Sequence, residues 1–155
     1  MKKVFSLLVC CALLLGCATA EQAVLLPGGR YVIDVPDEMA YSAPEAGDFG
    51  VEAYISESLE MDYISYLRTE GAARGMAETL KETAEACAAQ GLDVELRKVN
   101  DTEMLCFRTV DEADGASCIG YVFEDGDQYI EIDFWYATQE AAEKTAEIIS
   151  SVRKK

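Results

Sequence analysis

Four residues at alternate positions of one apolar segment could form a binding surface. If Gln128–Tyr136 is a β-strand, Tyr129, Glu131, Asp133 and Trp135 share a face, with successive members about 7 Å apart. Two aromatic rings beside two carboxylates suit a cationic ligand or a basic peptide. Alternatively, Tyr129 and Trp135 lie under a helix, because large aromatics in small domains mostly contribute buried area. We take this strip as the candidate partner site and keep both interpretations open.

The cysteines offer a second kind of chemistry. If the segments 103–110 and 117–123 pair across a turn at 111–115, Cys106 lies opposite Cys118 or one position away. Directly opposed strand residues can meet the Cα separation of roughly 4.4–6.8 Å that a disulfide needs. A slip of one residue places the two side chains on opposite faces. The pair is therefore a disulfide only in the direct register, and Cys87 is interpreted as a small hydrophobe on a helix.

Several catalytic classes are excluded or unsupported. The chain contains no histidine, which excludes Ser-His-Asp and Cys-His nucleophiles and His-ligated zinc. The acidic turns at 111–115 and 124–127 lack the ligand spacing of an EF-hand loop, so we interpret them as hairpin turns. Close carboxylate pairs indicate little among 29 acidic residues. We predict a non-enzyme with no catalytic residue, no metal ligand and no cofactor.

The charge balance limits the choice of partner. Acidic residues outnumber Lys and Arg by 29 to 13, which gives a formal net charge of −16. Nucleic acids and anionic lipid surfaces attract Lys and Arg, so neither is the predicted partner. The predicted partner is a protein, and the charge alone does not identify it.

The first twenty residues have the three parts of a secretory signal. Lys2 and Lys3 precede an apolar run of twelve residues, and small residues follow. The run is shorter than the roughly 20 residues of a spanning helix. Cleavage after Ala20 is the favoured processing, which leaves 21–155 as a single domain outside the cytoplasm. Leu14-Leu15-Gly16-Cys17 also resembles a lipobox, so a lipid anchor on Cys17 is the alternative.

The elements that would position these residues alternate between strands and helices. We predict about four strands, a helix, four strands and a helix. Asp125-Gly126 marks a hairpin, Thr138 caps the last helix, and Arg153-Lys154-Lys155 follows at its end. Several strands are apolar on both faces. The pattern predicts an α+β fold with one antiparallel sheet of about seven to eight strands and two helices packed on it.

Two segments carry a resemblance to known proteins. They are the opening strand Gly29-Arg30-Tyr31-Val32-Ile33-Asp34-Val35-Pro36, and Tyr129–Tyr136 with the later Ile148-Ile149-Ser150-Ser151. Their order and spacing resemble the PsbP-like and DcrB-like exported families over about residues 25–152. The resemblance implies an α+β fold and a non-catalytic accessory or assembly role. Metal sites of some members use histidine, so no metal residue carries over.

Two classes of function follow from these observations. The favoured one is an exported binding or accessory module of the bacterial cell envelope or extracellular space. The alternative is a small-ligand-binding protein or enzyme with an aromatic and acidic pocket.

Overall fold

A computed structural model describes residues 21–44, 50–111 and 115–155. The predicted signal peptide and Cys17 lie outside these residues. In the described residues, no helix combines the length and hydropathy needed to cross a membrane. The strands are β1 (Glu21–Leu25), β2 (Tyr31–Pro36), β3 (Ala40–Ser42), β4 (Glu52–Ile55), β5 (Leu59–Leu67), β6 (Asp93–Val99), β7 (Thr102–Val110), β8 (Ser117–Asp125), β9 (Gln128–Tyr136) and β10 (Arg153–Lys154). The helices are a 3₁₀ segment (Arg68–Arg74), α1 (Leu80–Ala89) and α2 (Gln139–Ser150).

The strands form two antiparallel sheets, which corrects the predicted single sheet. The larger has seven strands in the order β3-β4-β5-β9-β8-β7-β6, and the smaller has the order β1-β2-β10. Arg153 and Lys154 pair with Val32 and Tyr31 of β2, whereas the sequence placed them at a helix end. Val152 is fully buried just before them, so the chain must turn into the core and can then continue as a strand.

The main core lies between one face of the large sheet and a layer made by the small sheet and α2. Ile132 and Phe134 of β9 meet Ile33 of β2 and Ile149 of α2 in one buried cluster. The Thr138 hydroxyl accepts a hydrogen bond from the Ala141 amide, which confirms Thr138 as the helix cap. We call the sheet surface opposite this core the second face.

Helix α1 and the 3₁₀ segment cover part of the second face. Thr79 and Glu82 form a capping box, so α1 starts at Leu80 and not at Met76, where its apolar pattern begins. Leu80 packs with Tyr66, Leu105 and other residues in a second cluster. Ten residues make a helix about 15 Å long, while seven strands span roughly 29 Å. A helix of this length can cover only about half of the sheet.

The register of β7 and β8 separates the two predicted disulfide partners. Cys106 pairs with Tyr121, and Cys118 pairs with Thr109. An offset of three positions places the two cysteines on opposite faces. Cys87, Cys106 and Cys118 are free, so the direct register that a Cys106–Cys118 bridge requires is not the one formed, and the possible bridge is absent from the described residues.

Candidate binding face

The four predicted strip residues all project from β9 onto the second face. Tyr129 is buried, while Glu131, Asp133 and Trp135 are half-buried. Strand β5 lies beside β9 in antiparallel register and places Asp62 opposite Asp133. The structure therefore adds side chains of β5 to the predicted strip.

Tyr129 belongs to the covered part of the face. Its ring lies 5.7 Å from the Tyr66 ring, and the Arg68 guanidinium sits 5.5 Å from its centroid. The 3₁₀ segment packs directly on it: a Cβ built at Gly71 would lie 3.1 Å from the Tyr129 ring. Tyr129 is only 2% exposed, which agrees with the interpretation that this ring is covered and contributes buried area.

The part of the face around Asp133 is less covered and strongly acidic. Asp133 lies opposite Asp62, and Glu60 lies opposite Trp135. We call Glu60, Asp62, Asp133 and Trp135 the acidic end of the second face. Trp135 and Asp62 line the same groove at this end.

Two carboxyl groups of the acidic end, those of Asp62 and Asp133, have raised pKa values. Burial, followed by the charges of Glu131 and Asp62, raises the pKa of Asp133 to about 7. Burial and the charge of Glu60 raise the pKa of Asp62 to about 6. Asp133 Oδ1 is buried and has no hydrogen-bond partner among the described residues. Near neutral pH these groups are therefore poised to change charge.

A glycine and an aromatic ring shape the neighbouring strands. Gly120 lies opposite both Asp133 and Phe107 across its two neighbouring strands. A Cβ at Gly120 would overlap the Phe107 ring and Asp133 Oδ1. The missing side chain therefore makes room for the ring to lie across β8 and for the carboxyl to enter the sheet surface.

None of the carboxylates at this end has a basic partner. Within residues 21–44, 50–111 and 115–155, no Lys or Arg forms an ion pair with Glu60, Asp62 or Asp133. A groove of about 560 Å³ runs beside Trp135 and is also lined by Glu57, Glu60 and Asp62. The arrangement offers negative charge and an aromatic ring at one surface.

Of the two acidic turns at 111–115 and 124–127, the structure describes only the second completely. Gly126 and Asp127 make the turn between β8 and β9, as predicted from Asp125-Gly126, and Asp125 at the end of β8 pairs with Arg30. Residues 112–114 of the other turn lie outside the described residues. No group of three or more Cys, Asp or Glu side chains in the described segments is arranged to hold a metal ion.

Sequence reasoning missed Glu60 and Asp62. Both sit in a strand whose other residues, Leu59, Met61 and Tyr63, are buried, so alternation could have placed the acids on the opposite face. Their partners on β9 depend on long-range register, for which no local signal exists.

Comparison with known proteins identifies the fold. No protein-family model matches the chain, and no curated protein sequence matches it. The solution structure of cyanobacterial PsbP (CyanoP) from Synechocystis sp. PCC 6803 has a TM-score of 0.57 over 88% of this chain and 94% of that one, at 13% identity. The chain has a PsbP-like fold. The resemblance predicted from the sequence is thus confirmed at the level of fold.

A second solved structure shares this fold over part of its length. It is a crystal structure from Bacteroides thetaiotaomicron VPI-5482, with a TM-score of 0.57 and 12% identity over 86% of this chain. The match covers 48% of that protein, so the chain spans about half its length. At such low identities these similarities establish the fold alone.

Proposed function

We propose that this chain is an exported, non-catalytic binding module of the bacterial cell envelope or extracellular space. Its acidic end binds a basic segment of a partner protein. One observation carries the proposal: the carboxylates beside half-buried Trp135 have no Lys or Arg partner within the described chain. The PsbP-like fold supports it, because the resemblance implies accessory proteins.

Binding at this end is coupled to proton release. A Lys or Arg brought beside Asp133 favours the ionised carboxyl, so its pKa falls in the complex. Near pH 7 the protein therefore loses protons as the partner binds. Affinity for the partner rises with pH, because the protons on Asp133 and Asp62 must leave before these carboxylates can pair with a basic group.

The test uses Trp135 as the reporter, since it is the only tryptophan. Residues 21–155 are titrated with an amidated tetra-arginine peptide and with its neutral tetra-citrulline analogue. We expect a change of Trp135 emission with the arginine peptide only, and an affinity roughly tenfold higher at pH 8 than at pH 5. Calorimetry in two buffers of different ionisation enthalpy measures the released protons.

Variants separate this site from general attraction to an acidic protein. Asp62→Asn and Asp133→Asn should each weaken binding several-fold, whereas the exposed Asp101→Asn, with the same change in net charge, should not. Calorimetry reports binding to Trp135→Ala, which should also be weaker. Equal losses in Asp101→Asn and Asp133→Asn would contradict the proposal.

Export is tested separately by intact mass. We propose that the mature chain starts at Glu21, as the Ala18-Thr19-Ala20 site favours. A diacylglyceryl adduct on an N-terminal Cys17 would instead establish the lipid-anchored alternative.

A further inference from the structure

A second cavity opens between α1 and the covered part of the second face. Its volume is about 320 Å³, and it shares no lining residue with the groove beside Trp135. Small-molecule sites begin at about this size. The walls are mainly apolar and include Met76, Leu92, Val94, Leu105, Phe107 and Val122.

Two groups of opposite charge line this cavity, with Tyr66 between them. The Arg74 guanidinium lies 4.3 Å from the centroid of the Tyr66 ring. Burial and the negative charge of the half-buried Glu131 raise the pKa of Tyr66, and both side chains line this cavity. Tyr66 itself is buried and lines the cavity together with both charged groups.

Neither charge is neutralised within the described chain. Arg74 makes no ion pair with an Asp or Glu of the described residues, and its guanidinium lies over the Tyr66 ring. Glu131 forms no ion pair with a Lys or Arg of the described residues, and a carboxylate can accept several hydrogen bonds from a ligand. Arg108 also lines the cavity, but its guanidinium is held by Asp93 and Glu95.

The two unneutralised charges select the ligand. An anionic ligand bound to Arg74 would also bring its negative charge into the cavity that Glu131 lines, which is unfavourable. A cationic ligand bound to Glu131 would meet the positive charge of Arg74 in the same way. A zwitterion with an apolar side chain matches both charges and the apolar walls. We propose that this cavity binds a free α-amino acid such as leucine or phenylalanine, with its carboxylate on Arg74 and its ammonium on Glu131.

The test measures amino-acid binding to residues 21–155 by calorimetry. Leucine or phenylalanine should bind with a Kd of about 1 mM or tighter, while 4-methylpentanoate and isopentylamine, which each lack one charge, should bind at least tenfold more weakly. Absence of binding by both amino acids at about 10 mM would overturn the proposal. Equal affinity of a singly charged analogue would also overturn it.

Matched variants locate the site. Arg74→Gln and Glu131→Gln should each weaken leucine binding at least tenfold. Arg68→Gln is the control, since Arg68 lies at the other end of the same 3₁₀ segment over Tyr129 and outside the cavity. Trp135→Ala should leave leucine binding unchanged, so this proposal and the proposed protein-binding function can fail separately. Unchanged binding by Glu131→Gln would contradict the site.

Labelling of the Cys87 thiol tests the same site in the unmutated protein. Cys87 lines the cavity and is half-buried, whereas the other two described cysteines are buried. Leucine should slow the reaction of Cys87 with a maleimide several-fold, and 4-methylpentanoate should not. Equal labelling rates with and without leucine at a saturating concentration would place the ligand elsewhere and refute the assignment.

Discussion

The buried carboxyl of Asp133 makes the stability of this protein fall as pH rises. The folded protein holds this proton up to about pH 7, whereas the unfolded chain releases it at the ordinary value of 3.8. Between those values the folded state binds more protons than the unfolded state, so the free energy of unfolding decreases with pH. Just over three pKa units at 1.36 kcal/mol each give roughly 4 kcal/mol in total. About 3 kcal/mol of this falls between pH 5 and pH 8.

Replacing Asp133 with Asn removes this contribution and keeps the side-chain shape. We expect Asp133→Asn to be more stable than the parent at pH 8 by roughly 3–4 kcal/mol, or about 10 °C in Tm. At about pH 5 the gain should shrink to roughly 1–2 kcal/mol. Urea unfolding of both proteins at the two pH values measures the difference. The exposed Asp101→Asn is the control and should change stability little at either pH.

One result would refute the reasoning about Asp133. If the parent and Asp133→Asn lose the same stability between pH 5 and pH 8, the carboxyl does not titrate in this window. Asp62→Asn should show the same effect with a smaller size, because the pKa of Asp62 is raised only to about 6.

Three further predictions concern packing, capping and thiols. Gly120→Ala should lower the free energy of unfolding by about 2 kcal/mol, because the new methyl group meets the Phe107 ring; an unchanged urea midpoint would contradict this. Thr79→Ala should lower it by about 1 kcal/mol through loss of the capping box, and a circular-dichroism melt of the variant measures the loss. Thiol titration of residues 21–155 in denaturant should count three free thiols, and a count of one would restore the disulfide; the three are Cys87, Cys106 and Cys118.

Local features of the sequence suffice for much of the fold. Strand β9 was predicted with the bounds that the structure has, because alternating side chains follow a strong Asp125-Gly126 turn. Helix α2 was found from Thr138 and its apolar face for the same kind of local reason. By contrast, the sequence gives no local signal for β3, because its three residues are all exposed and show no burial pattern.

Local sequence pattern predicted which β9 residues form the candidate site, whereas tertiary structure set their neighbours and their pKa values. Alternation alone places Glu131, Asp133 and Trp135 on one face of β9. It carries no information on the opposing strand, and the long-range pairing of β5 with β9 is what sets Asp62 against Asp133. The raised pKa values arise from that pairing and from burial, so the isolated strand would not have them.

By itself, the sequence determined most strands of the large sheet, the Thr138 cap of α2, the acidic charge and the absence of histidine chemistry, because each depends on residues near one another in the chain or on composition. Tertiary structure decided the division into two sheets, the separation of Cys106 from Cys118, and the burial of Tyr129. These outcomes depend on which distant segments pair and in what register. Register is selected by the packing of both sheet faces at once, and a shift of one residue exchanges the faces of a whole strand.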